Sequence, residues 1–468
     1  MTDDSTIAAI STAHGVGAIA VIRLSGEKAV TILEKIFISP SGKKIARQEA
    51  NTLHYGSVTD NGNVIDDVVV GLFKAPHSYT GEDLVEISCH GSLYIQQKIL
   101  EVLIANGARL AQPGEFTLRA FLNGKMDLSQ AEAVADLIAS TSKSFHKVAI
   151  NQMKGRFTEE IKKLRERLLN FVSLIELELD FSEEDVEFAD RGQLIKLVTE
   201  IKTLLEKLKN SFSLGNAIKN GIPVVIVGKT NSGKSTLLNL FLKEDKAIVS
   251  EIEGTTRDFI EDTISIDGIH FRFIDTAGLR HTEDTIEKLG IERTYKKISQ
   301  ADIILLLIDP TKEEDGIVQS VNDIKKQIRG LDKKLVLIIN KIDLLKDNDI
   351  TRIKNAILPL LVENEHLITL SAKKGENLNN LEQTLKSIVH ADDIAKTDVI
   401  VTNVRHFEAL KLACEAITRV AAGLENQLPG DLLSQDIREC MHYLGEITGE
   451  ITNDEILGSI FKNFCIGK

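Results

Sequence analysis

The chain has 468 residues, of which 43% are hydrophobic and 27% carry a charged side chain. A single hydrophobic core stops growing at roughly 250–300 residues, so this length excludes a one-domain protein and predicts two to four domains. The formal net charge of −13 excludes a protein that grips nucleic acid or an anionic membrane mainly through bulk positive charge.

The start of the chain predicts a cytoplasmic protein with no membrane segment. The opening residues MTDDSTIAAI contain two aspartates where a secretory signal has basic residues, and no long apolar region follows them. The longest apolar runs, such as Ile303 to Ile308, fall far short of the roughly 20 residues that a membrane helix needs.

The four cysteines give no metal or disulfide pattern. They are Cys89, Cys414, Cys440 and Cys465, and no two of them have the CxxC spacing of a zinc ribbon or a thioredoxin site. Cys89 and His90 are adjacent metal-ligand types, but no further ligand stands in register with them. Most of the cysteines are therefore expected to be small buried side chains.

The first predicted domain is α+β. Strand-like runs occur at 18–24, 64–73 and 84–88, and periodic apolar residues at 92–106 predict a helix. Residues 1–118 are assigned to this N-terminal domain.

A helical segment follows, and an α/β domain interrupts it. Apolar residues recur at helical spacing from Phe116 to about Phe212, and residues 119–216 are assigned to the first part of a helical domain. From Ile222 strands and helices alternate, which is typical of a doubly wound parallel sheet and predicts an α/β domain at 217–388. Amphipathic helices return at 407–422, 432–444 and 454–464, and residues 389–468 are assigned to the second part of the helical domain. The predicted fold class is multidomain α/β and α+β, with the α/β domain inserted into a mostly α-helical one.

The residues GKTNSGKS, from Gly228 to Ser235, form a phosphate-binding P-loop motif. They follow the strand-like PVVIV and precede the helical TLLNLFL, which is the context that the motif needs. Glycines let backbone N–H groups close around phosphate, Lys234 can reach the β- and γ-phosphates, and Ser235 can ligate Mg²⁺.

Three later motifs, in this order, indicate a guanine-nucleotide site. In DTAG, Asp275 can hold Mg²⁺ through water and Gly278 can contact the γ-phosphate. In NKID, the Asp343 carboxylate can accept hydrogen bonds from guanine N1–H and the 2-amino group, a pair of donors that adenine lacks. The later Ser371-Ala372-Lys373 loop can meet guanine O6 through its backbone. Together the motifs predict GTP rather than ATP.

The catalytic group that orients water is not evident from these motifs. GTTRD, from Gly254 to Asp258, is the predicted switch I, and its Thr256 can complete Mg²⁺ coordination. Leu279 follows DTAG, where small GTPases resembling Ras carry a glutamine, and a leucine cannot orient water. The nearby candidates, among which the residues alone do not choose, are Arg257, Arg280, Glu283, Asp284 and Glu287.

These motifs, in this domain order, resemble the MnmE (TrmE) family of tRNA-modification GTPases over the whole chain. The most specific segments are SYTGEDLVEISCHG (Ser78 to Gly91), PGEFTLRAFLNGKMDLSQAEAVADLI (Pro113 to Ile138), EGTTRD, DTAGLR, LGIER (Leu289 to Arg293) and the terminal CIGK. The resemblance implies GTP hydrolysis during 5-carboxymethylaminomethyl-type modification of the wobble uridine (U34) of tRNA, together with the FAD-containing partner MnmG.

The resemblance also implies roles for residues of the nucleotide site. Glu287 would position the attacking water, although by its sequence alone it is more typical of a solvent-facing helix residue. A potassium ion held by Asn231, Ser250, Ile252 and Thr255 would offset charge in the transition state. Magnesium is assigned to Ser235 and Thr256. The residues assigned to GTP are Asn231, Ser232, Gly233, Lys234, Ser235, Thr236, Ser250, Glu251, Ile252, Glu253, Gly254, Thr255, Thr256, Asp275, Thr276, Ala277, Gly278, Asn340, Lys341, Asp343, Ser371, Ala372 and Lys373.

For the N-terminal domain the family implies a homodimer that binds a tetrahydrofolate derivative, 5-formyl- or methylene-tetrahydrofolate, as one-carbon donor. The matching positions are Arg23, Glu86, Lys125 and Lys468, and ordinary charged surface residues are the alternative. Cys465 is assigned a catalytic or redox role alongside Lys234 and Glu287, with a buried thiol as its alternative.

Two other functions stay open. A ribosome-assembly or translation GTPase would act as an RNA-binding switch, but it needs a basic appendage that this sequence lacks. A folate-dependent one-carbon transferase with a regulatory G domain is the second alternative.

Overall fold

A computed structural model describes residues 5–180, 191–243, 262–274, 298–311, 314–331, 333–362, 365–389, 399–462 and 464–467. The chain forms two compact units. The first comprises Met1–Ile138, Gln152–Thr199 and Leu412–Lys468, and the second comprises Ala139–Asn151 and Glu200–Lys411. The predicted multidomain α/β and α+β class is confirmed. The division into 1–118, 119–216, 217–388 and 389–468 stays a prediction.

A seven-stranded sheet forms the N-terminal part of the first unit. Its strands are β1 (Ile7–Ile10), β2 (Ile19–Ser25), β3 (Phe37–Ile38), β4 (Thr52–Asp60), β5 (Asn63–Phe73), β6 (Leu84–His90) and β7 (Arg109–Leu110). The order across the sheet is β3-β4-β5-β6-β2-β1-β7. Neighbouring strands are antiparallel except for β1 and β7.

Alternation along the strands buries one face of this sheet under helices α1 (Ala29–Ile36) and α2 (Leu93–Ala105). Ile22, Leu24 and Ile87 belong to the apolar core formed with these helices, as expected for side chains that share one face of adjacent strands.

Several apolar side chains on the opposite face of the sheet are exposed to solvent. Leu53, Tyr55 and Val69 are 75%, 60% and 39% exposed. Tyr55 pairs with Val69 across β4 and β5, so the three side chains share one face.

Helices dominate the chain between the two sheets. They are α3 (Glu115–Leu122), α4 (Leu128–Ala139), α5 (Lys143–Met153), α6 (Arg156–Asp180) and α7 (Arg191–Asn220). This confirms the helical pattern predicted from the spacing of apolar residues.

The second unit contains a six-stranded sheet among its described residues. Its strands are β8 (Ile222–Val227), β9 (Asp262–Ile266), β10 (Ile269–Phe273), β11 (Ile303–Ile308), β12 (Lys334–Ile339) and β13 (His366–Thr369). The order is β13-β12-β11-β8-β10-β9, and all pairs are parallel except β9 with β10. The helices are α8 (Lys234–Lys243), α9 (Glu314–Ile328), α10 (Asp347–Ile357) and α11 (Leu378–Ile388).

Both faces of this sheet are covered, which explains the uninterrupted apolar runs in its central strands. Val224 and Leu305 lie in one core with residues of α8 and α11, while Val225 and Leu306 lie in another with residues of α9 and α10. Because β11 is parallel to both β8 and β12, the carboxyl ends of these three strands meet at one edge of the sheet. Ligands bind at this edge in sheets of this kind.

Three helices close the described chain, where the apolar periodicity predicts them. They are α12 (Val404–Glu425), α13 (Gly430–Thr448) and α14 (Asp454–Phe461). Within the first unit α13 packs along α6, and the Arg165 Nε donates to the Met441 carbonyl at 3.2 Å. None of the helices in the described ranges combines the length and the apolar character that crossing a membrane requires.

Candidate guanine-nucleotide site

The P-loop joins β8 directly to α8. Gly228 and Gly233 have φ of +152° and +101°, and Asn231 between them has φ of +65°. A Cβ at Gly233 would overlap the Asn340 side-chain nitrogen, so only glycine lets the backbone approach this closely. The loop thus turns sharply into the N-terminus of α8, where free amides favour phosphate.

Lys234 is the first residue of α8, and its ammonium folds back over the loop. Its Nζ donates to the carbonyl oxygens of Gly228 at 2.9 Å and Lys229 at 3.0 Å. Burial lowers the pKa of Lys234. A phosphate group beside this ammonium would favour its charged form. Ser235 and Thr236 follow in the first turn of α8, and Asn231 is exposed in the loop.

Asn340, directly after β12, connects the three predicted nucleotide-binding segments that the structure describes. Its Nδ2 donates to the Ser232 carbonyl at 2.8 Å, and its Oδ1 accepts from the Ala372 amide at 2.9 Å. Asn340 is 2% exposed, so both hydrogen bonds are shielded from water. The P-loop, NKID and the 371–373 loop are thereby held together.

The Asp343 carboxylate is held by the 371–373 loop. The Ser371 Oγ donates to its Oδ1 at 2.7 Å. This hydrogen bond is the main reason that the pKa of Asp343 is lowered. An ionised carboxylate accepts hydrogen bonds only, which suits the N–H donors on the guanine edge. The adjoining Lys373 is exposed.

Lys341 has a partner that the motifs do not reveal. Its backbone is left-handed, with φ of +60°, and its Nζ lies 2.7 Å from Oδ2 of Asp309. Asp309 follows β11 and is 8% exposed. The only sequence signal for this contact is that Asp309 directly follows a fully apolar strand. The structure places that strand beside β12, which carries NKID at its end.

Part of the predicted site lies outside the described residues. This holds for the switch I residues, the DTAG residues, the water-positioning candidate and the C-terminal lysine. They are Ser250, Glu251, Ile252, Glu253, Gly254, Thr255, Thr256, Asp275, Thr276, Ala277, Gly278, Glu287 and Lys468.

Two of the predicted folate positions are in contact in the first unit. Arg23 on β2 lies opposite Glu86 on β6, and its Nε donates to the Glu86 Oε1 at 2.9 Å. The Arg23 guanidinium lies over the Tyr79 ring, 5.3 Å from its centroid, within the range of a cation–π contact. The Tyr79 hydroxyl is 2.8 Å from the Thr117 Oγ1.

Lys125 reaches the same loop that carries Tyr79. Its Nζ donates to the Pro76 carbonyl at 2.9 Å. The end of the chain also comes close to these strands, since the Ser11 Oγ donates to the Gly467 carbonyl at 2.9 Å. Ser11 follows β1, which neighbours the strand of Arg23.

The cysteines separate into buried and exposed groups. Cys465 is exposed, so a buried thiol at this position is wrong, while Cys89, Cys414 and Cys440 are buried as expected. Burial, with a contribution from Asp66, raises the pKa of Cys89 to about 11. In the part of the chain that the structure describes, no group of three or more His, Cys, Asp or Glu residues could hold a metal.

The mostly parallel sheet, with a P-loop after β8 and NKID after β12, defines a P-loop protein of the guanine-nucleotide-binding class. Residues 6–125 match the family model described as the GTP-binding protein TrmE N-terminus, and residues 128–465 match the one described as the MnmE helical domain. The chain belongs to the MnmE (TrmE) family.

Curated relatives match along the entire length. The protein of Bacteroides fragilis named tRNA modification GTPase MnmE is 54% identical over 468 residues, covering 100% of both chains. Proteins of the same name from Bacteroides thetaiotaomicron and Flavobacterium psychrophilum are 53% and 52% identical, with 100% and 99% of each chain covered.

Proposed function

We propose that this protein binds and hydrolyses GTP in the modification of tRNA wobble uridines. The observation that carries the proposal is that three predicted nucleotide-binding segments meet at one edge of the second sheet. There the Asn340 side chain joins the P-loop to the 371–373 loop. The full-length relatives named tRNA modification GTPases support the same function.

Selectivity for GTP follows from Asp343. Its carboxylate, already oriented by Ser371, would accept from guanine N1–H and the 2-amino group. The stem of Lys341 would cover a face of the base, since its backbone turns directly at the strand end that presents this edge. The contacts to the base would set selectivity for guanine, while the phosphates would bind the P-loop and the N-terminus of α8.

Metal ions fit the donors present at the phosphate end. The Ser235 hydroxyl, next to Lys234 at the start of α8, is the oxygen type that Mg²⁺ prefers, and Thr256 would supply a second ligand. The exposed Asn231 offers a carboxamide oxygen for potassium, with Ser250, Ile252 and Thr255 as the other proposed ligands. Such cations would neutralise charge that develops on the phosphates, and Glu287 would position the attacking water.

The N-terminal sheet is the proposed site for a tetrahydrofolate derivative. Arg23, Glu86 and Lys125 supply charged groups suited to an anionic tail and to ring N–H donors, and the Tyr79 ring offers an aromatic face. Cys465, exposed beside this sheet, stays a candidate for catalytic or redox chemistry and Lys468 for folate binding.

The proposed partners follow from the family and from surface character. The open sheet face with Leu53, Tyr55 and Val69 supports a homodimer, because exposed apolar patches favour association. Because a net charge of −13 excludes binding through bulk positive charge, we propose that tRNA is held by local contacts and that the FAD-containing partner MnmG supplies much of the positive surface. We infer a cytoplasmic location for this complex.

The cellular proposal is tested by mass analysis of tRNA wobble uridines from cells that lack this protein. The 5-carboxymethylaminomethyl-type group should be missing and should return with the wild-type gene. Intact modification in the deletion strain would contradict the proposed function.

The potassium site is tested by measuring GTP turnover of the purified protein in KCl and in NaCl at equal ionic strength. Turnover should be faster in KCl, and equal rates would reject the potassium site.

A further inference from the structure

Asp309 is a buried carboxylate whose two oxygens have different partners. Oδ1 accepts from the Thr311 amide at 3.1 Å and from the Thr311 Oγ1 at 2.7 Å. Oδ2 accepts from the Lys341 Nζ at 2.7 Å. One oxygen therefore fixes the carboxylate to its own turn, and the other faces the lysine of NKID.

The topology explains why these two residues meet. β11 lies between β8 and β12, and Ile308 is in register with Ile339 at the ends of β11 and β12. The Asn340 amide donates to the Ile308 carbonyl at 3.0 Å. The first residue after β11 is thus placed beside the turn that carries Lys341.

Burial distinguishes this pair from an ordinary surface ion pair. The side chains of Asp309 and Lys341 are 6% and 29% exposed, so both lose hydration. A pair of this kind contributes little net stability compared with apolar residues, because desolvation offsets the attraction. Its distinctive effect is to restrict a long, flexible side chain to one position.

We infer that Asp309 is a positioning residue for guanine-nucleotide binding, acting by holding Lys341 in place before the nucleotide arrives. The inference rests on the nucleotide site of the proposed function. A free lysine loses rotamer freedom when a base packs against its stem, and a lysine that is already restrained loses less. Asp309 thereby raises affinity without touching the nucleotide.

Changing Asp309 should weaken the contacts of the protein with the guanine base of the nucleotide. GDP and GTP share that base, so both should lose affinity equally when Asp309 is changed. Hydrolysis occurs at the γ-phosphate, so kcat at saturating GTP should be retained while KM rises. This split distinguishes Asp309 from a residue of the catalytic step.

The experiment measures dissociation constants of a fluorescent GDP analogue, its displacement by GTP, and GTP turnover, all with the full-length protein. Asp309→Asn keeps the size of the side chain and removes its charge, and should bind about tenfold more weakly, equivalent to about 1.4 kcal/mol. Asp323→Asn, which makes the same change on the exposed side of α9, should leave all values unchanged.

A double-mutant cycle tests whether the effect passes through Lys341. Lys341→Met keeps an unbranched apolar side chain and removes the ammonium, so adding Asp309→Asn should weaken binding less than about twofold further. Wild-type affinity in Asp309→Asn, or an equal loss with and without Lys341, would overturn the inference.

Folding and function have separate readouts in this design. If circular dichroism shows that Asp309→Asn does not fold, Thr311→Ala takes its place, because it frees the carboxylate from one hydroxyl; an unchanged affinity there would overturn the inference. A wild-type protein that binds no guanine nucleotide would instead refute the proposed function, and the inference with it.

Discussion

Asp343 is the side chain that we propose selects the base. The Ser371 Oγ occupies one of its lone-pair positions at 2.7 Å, which leaves the carboxylate oriented and able to accept further hydrogen bonds. Guanine offers two N–H donors on one edge, whereas xanthine has a carbonyl at position 2. The selectivity of the site should therefore change with the donor character of residue 343.

Asp343→Asn is expected to weaken GTP binding and improve binding of xanthosine triphosphate. Hydrogen bonds to a charged group contribute roughly 1.5–3 kcal/mol each, so two of them correspond to a loss of roughly 100-fold or more for GTP. Titration with both nucleotides measures the change. Asp347→Asn, at an exposed position of α10, is the matched control, and unchanged preference in Asp343→Asn would contradict this assignment.

Residue positions were predictable where the chemistry is local. Lys234, Asn340 and Asp343 stand in short motifs whose spacing predicts their roles. The partner of Lys341 was not predictable, because Asp309 reaches it through the pairing of β11 with β12. The contact between Arg23 and Glu86 likewise depends on the register of β2 and β6, which no local pattern specifies.

At the scale of elements, helix α3 is anchored by a buried charge network. Glu115 in its first turn accepts from both terminal nitrogens of Arg109, at 2.7 and 2.5 Å, and from the Arg119 Nη2 at 3.0 Å. Arg119 also donates to Glu82, at 3.0 Å to its Oε2, and is 4% exposed. The network connects α3 to the end of β7 and to the loop before β6.

Glu115→Gln should destabilise the N-terminal part of the first unit by about 3–5 kcal/mol, since breaking a buried ion pair leaves charge uncompensated. Urea unfolding followed by a probe in this unit measures the loss. Glu27→Gln, an exposed carboxylate in the same unit, should change stability little. A Glu115→Gln protein as stable as the control would show that the network contributes nothing.

The same residue gives the stability a pH dependence. Burial raises the pKa of Glu115, but hydrogen bonds from Arg109, Gln112 and Arg119 outweigh it, and the net pKa is lowered. A carboxyl group whose pKa is lowered on folding stabilises the folded state at pH values above its unfolded pKa of about 4.3. This stabilisation is lost as the pH falls below that value and through the folded-state pKa. The wild type should therefore lose stability more steeply below about pH 4.3 than Glu115→Gln does.

Elements were predictable when they were long or strongly periodic. β2, β5, β6 and α2 fall where the apolar pattern places them. The four-residue β1 and the eight-residue α1 gave no assignment, because so few residues define no period. β4 was also missed, since Leu53 and Tyr55 are on its exposed face while Val58 is on its buried face, so no single alternation runs through the strand.

At the scale of the whole chain, the two ends of the first unit are joined by hydrogen bonds. The Gly114 amide donates to the Cys465 carbonyl at 3.3 Å, and the Ser11 Oγ donates to the Gly467 carbonyl at 2.9 Å. These contacts place the exposed Cys465 beside the N-terminal sheet. No sequence period could predict them, because they depend on the helices α13 and α14 returning the chain to its start.

The close approach of the tail to β1 requires glycine at position 467. Its φ is +94°, and a Cβ would overlap the carbonyl oxygen of Ile10. Gly467→Ala should therefore release the tail, with a backbone cost alone of roughly 1–2 kcal/mol. Hydrogen exchange at the Gly114 amide should become roughly tenfold faster, because its acceptor on Cys465 moves away.

Gly458→Ala is the matched control for this prediction. Gly458 lies in α14, and a Cβ there meets no atom within 4 Å, so alanine fits without strain. The substitution should leave exchange at Gly114 unchanged and favour the helix by up to about 1 kcal/mol. If Gly467→Ala protects the Gly114 amide as well as this control does, the tail is held by contacts other than the close approach at Ile10. Faster exchange in Gly467→Ala alone would instead make glycine at 467 a requirement for keeping Cys465 at the N-terminal sheet.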